Sequence, residues 1–137
     1  MNTLIGKIVD IESTQMVSLV SVDVDGDIVT SIILEGKSQL MNYKRDDQVN
    51  LIFKETEVGI AKNFSGQISF RNRFGAKIKK IEKGLILSKL TLEYKEKNIE
   101  SIISTKSVDN MQLREDDFIE WLVKSNEVSL MPISHVS

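Results

Sequence analysis

The amino-acid sequence repeats itself once, and this internal repeat restricts the possible folds more than any other feature of the chain. A shift of 70 positions superposes identical residues along nearly the whole unit. The matches include Lys7 with Lys77, Ser31-Ile32-Ile33 with Ser101-Ile102-Ile103, Asp46-Asp47 with Asp116-Asp117, and Glu57-Val58 with Glu127-Val128. One constant offset over this length predicts two domains of similar structure, which we place at residues 1–63 and 64–137.

Both units carry the residue pattern of short β-strands. Apolar and polar residues alternate over 20–24 and over 90–94, which is the period of a half-buried strand. Asp25-Gly26 predicts a hairpin turn in the first unit, and Lys97-Asn98 predicts the equivalent turn in the second. Two further short strands follow in each unit.

A short helix is predicted after each hairpin, over residues 37–43 and 106–113, with Ser38 or Ser107 as the N-cap. Four or five short strands and one small helix per unit are typical of a compact barrel. The sequence therefore predicts an all-β fold of two tandem OB-like β-barrel units, each with one short helix.

Composition and charge exclude several classes of function. The 137 residues include no Cys and one His, and 18 Lys+Arg against 20 Asp+Glu give a formal net charge of -2. This charge disfavours nucleic acid as a partner, and no apolar run approaches the roughly 20 residues of a membrane span. No pair of acid–base groups can be assigned to catalysis. We therefore expect a cytoplasmic protein that is not an enzyme and has no cofactor, nucleic-acid partner or membrane partner.

Three further features are interpreted as structural. Asp46-Asp47 and Asp116-Asp117 each connect a charged loop to a strand, so turn chemistry explains them better than metal binding, and no metal site is predicted. Trp121 is expected in the core, although an aromatic on a barrel could instead stack on a base. His135, near the chain end, cannot be assigned to a catalytic triad.

The segment Ser69-Phe70-Arg71-Asn72 lies just before the strand that opens the second unit. Arg71 offers a planar fork of donors, Ser69 a hydroxyl and Asn72 an amide, and such groups can replace the hydration shell of a tetrahedral oxyanion. The alternative is a solvated linker that contains an arginine by chance.

A second candidate anion-binding segment is Lys106-Ser107 at the expected helix start, with a partial counterpart at Lys37-Ser38. A cation, a hydroxyl and unpaired backbone N–H groups would converge at such a helix end. The counterpart is displaced by one residue, because the shift of 70 places Ser107 on Lys37. The alternative is a serine N-cap beside an exposed lysine, which requires no ligand.

Taken together, these segments resemble the molybdate-binding Mop domains, also called TOBE domains. The family opens with Ser-Ala-Arg-Asn and a Gly-Lys-Val-like strand, and here Phe70 stands for the Ala and Ala76 for the Gly. In the first unit Gly6-Lys7-Ile8 fits the strand, but Met1 stands where the Arg belongs. The resemblance therefore implies the anion-binding roles of the family's Ser and Arg only for Ser69 and Arg71.

The resemblance implies OB-like barrels that assemble as oligomers and hold molybdate or tungstate at subunit or domain interfaces. It implies that the Arg71 segment of one unit meets a Lys-Ser pair of another, with Lys106-Ser107 the direct match and Lys37-Ser38 the weaker one. The implied function is reversible oxyanion binding for intracellular storage or homeostasis, by a homo-oligomer that is a trimer or a dimer.

Two alternatives remain open at the level of sequence. One is a regulatory or assembly module that has lost the ligand, which the missing Ser and Arg of the first unit favour. The other is the excised ligand-sensing domain of a molybdate-responsive regulator or transporter ATPase. The sequence contains no helix-turn-helix and no phosphate-binding GxxxxGK[ST] loop, so we expect a stand-alone binder.

Overall fold

The computed structural model describes residues 1–34 and 43–133. The candidate residues Lys37 and Ser38, and also His135, lie outside the described residues. The predictions for these three residues therefore stay predictions.

Ten β-strands and one α-helix account for most of the described residues. They are β1 (Asn2–Ser13), β2 (Ser18–Val24), β3 (Asp27–Ile33), β4 (Gln48–Phe53), β5 (Gly59–Ala61), β6 (Asn72–Lys83), β7 (Leu87–Tyr94), β8 (Lys97–Ser104), α1 (Thr105–Asn110), β9 (Phe118–Val123) and β10 (Ser129–Pro132). The strands form two five-stranded sheets with the orders β10-β4-β1-β2-β3 and β5-β9-β6-β7-β8. This architecture confirms the prediction of an all-β, OB-like fold.

The chain forms two compact units, and each unit contains residues from both sequence repeats. One unit comprises Met1–Asn2 and Lys54–Val123, and the other comprises Thr3–Phe53 and Lys124–Ser137. The residues that follow β4 in the sequence thus belong to the unit built on β6–β9, and the residues that follow β9 belong to the unit built on β1–β4. The boundary between 1–63 and 64–137 stays a prediction about the sequence repeat, and it differs from the boundaries of the compact units.

Buried serine hydroxyls hold these returning segments in place. Ser101 Oγ in β8 donates to the Val58 carbonyl at 2.7 Å, and Ser31 Oγ in β3 donates to the Val128 carbonyl at 2.6 Å. Both serines are fully buried. A buried carbonyl that loses its donor costs about 1–3 kcal/mol. Each hydrogen bond therefore fixes a segment from one repeat against the sheet of the other.

Alternating side chains of the strands build the core of each unit. In the sheet that contains β6, the buried Trp121 packs edge-on against Tyr94 with ring centroids 5.2 Å apart, and Phe74 lies 5.1 Å from Trp121. In the other sheet, Val20, Val22 and Leu51 are fully buried. The prediction that Trp121 belongs to the core is confirmed.

The hairpin turns agree with the sequence prediction in one unit and not in the other. Asp25 and Gly26 connect β2 to β3 with φ of 49° and 96°, as predicted for a two-residue turn with positive φ. The prediction of a turn at Lys97-Asn98 is wrong. The turn between β7 and β8 is formed by Lys95 and Glu96, with φ of 47° and 64°. It was missed because neither Lys nor Glu favours the left-handed region that such a turn requires.

Substitution Glu96→Gly tests this turn. Glycine adopts positive φ without the steric cost that a Cβ brings, so we expect the variant to be more stable by about 0.5–1 kcal/mol. The expected result is a melting temperature raised by about 2–5 °C. Lys97→Gly is the matched control and should lower the melting temperature, because Lys97 begins β8 without a positive φ, so glycine there adds an entropic cost and relieves no strain. A lower melting temperature for Glu96→Gly would contradict the assigned turn.

Candidate functional site

The Ser69–Asn72 segment brings an exposed cation to the start of β6. Ser69 and Arg71 are exposed, and Arg71 makes no ion pair within residues 1–34 and 43–133. The neighbouring Arg73 differs, since its Nε donates to Glu120 Oε2 at 2.6 Å and its guanidinium lies 4.9 Å from the centre of the Phe64 ring. The donors of Arg71 are thus available to a ligand from solution, whereas the guanidinium of Arg73 is engaged in contacts within the folded chain.

Asn72 occupies a different environment from Arg71. Its side chain is fully buried in β6, next to Val123 of β9. The equivalent residue of the first repeat is Asn2, which is 4% exposed. In the edge strand β8, the Glu100 carbonyl accepts from Asn2 Nδ2 and the Glu100 N–H donates to Asn2 Oδ1, both at 2.8 Å. Asn72 lies in the protein interior and is not exposed to a dissolved anion in this conformation.

Lys106 and Ser107 lie in the first turn of α1. The prediction that Ser107 is the N-cap of this helix is wrong. The cap is Ser104, whose Oγ accepts from the Ser107 backbone N–H at 3.0 Å. The same Ser104 hydroxyl donates to Ser107 Oγ at 2.9 Å, which leaves the Ser107 hydroxyl proton available for another acceptor. Lys106 is exposed and forms no ion pair in the described part of the chain.

Thr105 anchors α1 to the hairpin between β6 and β7. Its backbone N–H donates to the Ile86 carbonyl at 2.8 Å, and its Oγ1 donates to the Gly84 carbonyl, also at 2.8 Å. Lys83 at the end of β6 forms an ion pair with Asp109 of the helix. Sequence reasoning missed Thr105, although its place beside Lys106-Ser107 is the signal that could have indicated it.

The two candidate segments lie at opposite ends of β6. Asn72, next to Arg71, begins this 12-residue strand and Lys83 ends it. Lys83 pairs with Ser88 in β7, and Leu87 pairs with Ser104, the residue directly before α1. At about 3.3 Å per residue, the strand is about 36 Å long along its backbone. Within this unit, the Arg71 segment and the Lys106-Ser107 pair are therefore separated by the length of β6.

The paired aspartates are turn residues, as predicted. Asp116 has a φ of 73°, and its N–H and the Asp117 carbonyl bond to the backbone of Ile78, where β6 has a bulge. Asp117 Oδ2 accepts from the Arg114 N–H at 2.9 Å and from Lys62 Nζ at 3.1 Å. The hydrogen bond from the Arg114 backbone, followed by that from Lys62, lowers the pKa of Asp117.

A groove of about 370 Å³ lies in the unit that contains β3 and β10. Its lining consists of Ile32, Ile33, Leu34, Asn126, Val128, Ser129 and Leu130. No charged side chain lines it, so it offers no counter-charge to an oxyanion.

Comparisons with known proteins agree with the resemblance seen in the sequence. Residues 68–130, which include Ser69, Arg71, Lys106 and Ser107, match the TOBE domain family. The fold is similar to that of the cytoplasmic molybdate-binding protein ModG in a crystal form with molybdate bound. The TM-score is 0.90, the sequence identity is 19%, and the match covers 96% of each chain. No curated protein sequence matches the chain. The family match is confined to residues 68–130, and the similarity to the solved structure shows the fold.

Among the described residues, no helix is long and apolar enough to cross a membrane.

The lowered pKa of Asp117 predicts an acid-dependent contribution to stability. Because this pKa is lower in the folded chain than in the unfolded chain, the carboxylate stabilises the fold above about pH 4, the usual pKa of an aspartate. The stabilisation is lost as the pH falls through the lowered folded-state pKa. Asp117→Asn should therefore reduce the urea midpoint at pH 7 and reduce it less at pH 2.

Glu115→Gln is the control for this substitution, because Glu115 is an exposed carboxylate in the same loop. We expect it to leave the urea midpoint nearly unchanged at both pH values. An Asp117→Asn effect of equal size at pH 7 and pH 2 would contradict the assigned role of the ionised carboxylate.

Proposed function

We propose that the protein reversibly binds a tetrahedral oxyanion, molybdate or tungstate, and acts in storage or homeostasis of that ion in the cytoplasm. The observation that carries the proposal is the pairing of an exposed, unneutralised cation with a serine in both candidate segments, Ser69 with Arg71 and Lys106 with Ser107. Both pairs lie within the part of the chain that matches the TOBE domain family. The similarity to ModG, whose crystal structure contains molybdate, supports the same ligand class.

Binding of this kind requires no chemical step. Arg71 and Lys106 would offset the charge of the ion, and the Ser69 and Ser107 hydroxyls would donate hydrogen bonds to its oxygens. Because Ser107 Oγ accepts from Ser104, its own proton is available to an acceptor outside this pair. Asn72, which is buried, would act by fixing the start of β6 and with it the backbone at Arg71.

Placement of the two segments at opposite ends of β6 favours a site shared between copies of the chain. An ion that contacts both Arg71 and Lys106 requires one residue from each of two chains, because the strand keeps the pair in one unit far apart. We therefore propose a homo-oligomer, a dimer or a trimer, of the tandem two-unit Mop form. Lys37-Ser38 would be the corresponding pair of the first repeat.

A ligand-free assembly module is the second candidate function. In the first repeat the residue equivalent to Arg71 is Met1, and its terminal ammonium forms an ion pair with Glu55. That hydrogen bond is the main cause of the lowered pKa of Glu55. Met1 has no cationic side chain in place of the Arg71 guanidinium, so the first repeat offers less for an anion than the second.

Isothermal titration with molybdate, tungstate and sulfate tests the proposed function. We expect tight binding of molybdate or tungstate and weak binding of sulfate. Arg71→Ala should weaken the affinity about 10- to 100-fold, because a hydrogen bond to a charged group contributes about 1.5–3 kcal/mol. Arg114→Ala, which removes another exposed arginine of the same unit, should leave the affinity unchanged.

Absence of binding heat from folded protein for all three ions would refute the oxyanion proposal and favour the assembly module. Equal losses for Arg71→Ala and Arg114→Ala would indicate a nonspecific charge effect rather than a site at Arg71.

A further inference from the structure

The connection between β5 and β6, residues 62–71, is an exposed segment that carries Ser69 and Arg71. Strand β9 lies between β5 and β6 in the sheet, so the connection crosses from one side of β9 to the other. All residues from 63 to 69 are exposed. No hydrogen bond between main-chain groups joins residues 63–70 to another part of the described chain. Side-chain contacts therefore have to hold the connection in place.

Both ends of the connection are attached to the sheet. At the first end, Lys62 Nζ donates to the Gln112 carbonyl at 3.0 Å and to Asp117 Oδ2 at 3.1 Å. At the other end, Asn72 begins β6 and its side chain is fully buried. The main chain between these ends turns at Gly66, where φ is 116°. The position of Ser69 and Arg71 thus depends on what holds the middle of the connection.

A cation–π contact holds the middle of the connection. The Arg73 guanidinium lies 4.9 Å from the centre of the Phe64 ring, and Arg73 Nε donates to Glu120 Oε2 at 2.6 Å. Phe64 is 37% exposed, and the Arg73 side chain is 28% exposed. The contact therefore closes a loop that runs from Phe64 to Arg73. Ser69 and Arg71, the proposed ligand residues, lie within this loop.

The first repeat lacks the residues that form this contact in the second. The shift of 70 places the uncharged Thr3 on Arg73 and the uncharged Asn50 on Glu120. The same repeat has Met1 in place of Arg71. The ring contact and the ion pair thus occur in the repeat that carries the candidate anion-binding arginine. This distribution favours a role in ligand binding over a general role in the sheet.

We propose that Phe64 and Arg73 are positioning residues, which hold the loop that presents Ser69 and Arg71 to the oxyanion. A closed loop has fewer conformations than an open one, so less conformational entropy is lost when an ion orders its two ligand residues. Arg73 itself is not a ligand, because its guanidinium is engaged by Glu120 and by the Phe64 ring. The inference rests on the proposed function and adds to it the residues that fix the site.

Limited digestion with trypsin, which cleaves after arginine, tests the contact without any ligand. Phe64→Leu keeps an apolar side chain but removes the ring face. Because cleavage follows the population of the open loop, the rate of cleavage after Arg71 should rise about two- to fivefold, as expected for loss of a partly exposed cation–π contact. Phe64→Tyr retains the ring and should be cleaved at the wild-type rate. Mass spectrometry identifies the fragment that ends at Arg71.

Isothermal titration with molybdate then tests whether the contact positions the ligand residues. Phe64→Leu should weaken the affinity about two- to fivefold, because a smaller fraction of the chains holds the loop in the binding conformation. Phe64→Tyr should restore the wild-type affinity. Neither substitution changes the net charge, so a loss of affinity reports the position of Arg71 and not a weaker attraction for the anion.

Phe118→Leu is the matched control. It makes the same change at a ring that is 80% exposed at the start of β9, outside the connection, and it should alter neither cleavage after Arg71 nor molybdate affinity. Arg73→Gln removes the other partner of the contact. In that background Phe64→Leu should have no further effect, because the contact is already lost. Circular dichroism verifies that each variant is folded.

Three results would overturn the inference while the wild-type protein still binds molybdate. They are unchanged cleavage in Phe64→Leu, increased cleavage with unchanged affinity, and a further loss from Phe64→Leu in the Arg73→Gln background. A folded wild-type protein that gives no binding heat would instead refute the proposed function, and the positioning role with it. The wild-type titration therefore distinguishes failure of the proposed function from failure of this inference.

Discussion

The hydrogen bonds from buried serines to returning segments are the interactions on which the fold depends. Ser101 holds Val58, and Ser31 holds Val128, so each sheet is completed by residues from the other sequence repeat. Neither serine has solvent as an alternative partner, and neither carbonyl can be left unpaired without cost. The folding of the two units is therefore coupled, because each unit lacks an edge strand until the other repeat supplies it.

This arrangement also determines what a binding site can be. A long, bulged β6 runs from the exposed Arg71 to the hairpin that anchors α1, and both ends are held by ordered backbone contacts. The backbone that carries the two cations is held before any ligand arrives, which reduces the ordering cost of binding. Their separation along the strand favours a site built from more than one chain over a pocket within a unit.

The period-two strand pattern, the Asp25-Gly26 turn, the buried Trp121 and the aspartate turns follow from local chemistry, and the sequence predicted them. Other features depend on competition between neighbouring groups. Ser104 rather than Ser107 caps α1, because only Ser104 precedes the helix in extended conformation and reaches the Ser107 N–H. Lys95 and Glu96 adopt unfavourable positive φ angles because the pairing of Tyr94 with Lys97 leaves these two residues as the turn.

The exchange of segments could not be predicted from the repeat. The residue patterns of β5 and β10 predict strands but do not indicate whether each pairs within its own repeat or with the other one, as both do here. The relative positions of the candidate site residues could not be predicted from the sequence either. Residue types identified Arg71 and Lys106, but only the strand register revealed that one unit keeps them apart.

In the proposed site, Arg71 and Lys106 of different chains hold one oxyanion. This arrangement is tested most directly by molybdate titration of Arg71→Ala and Lys106→Ala proteins refolded together from an equimolar mixture. A shared site predicts that each variant alone binds weakly, whereas the mixture regains tight binding in about one site in four, because random assembly combines the two intact residues at that frequency. Arg71→Ala refolded with the double variant serves as the control and should regain none. A mixture that forms oligomers but regains no tight binding would contradict the account, because both residues would then belong to the same chain.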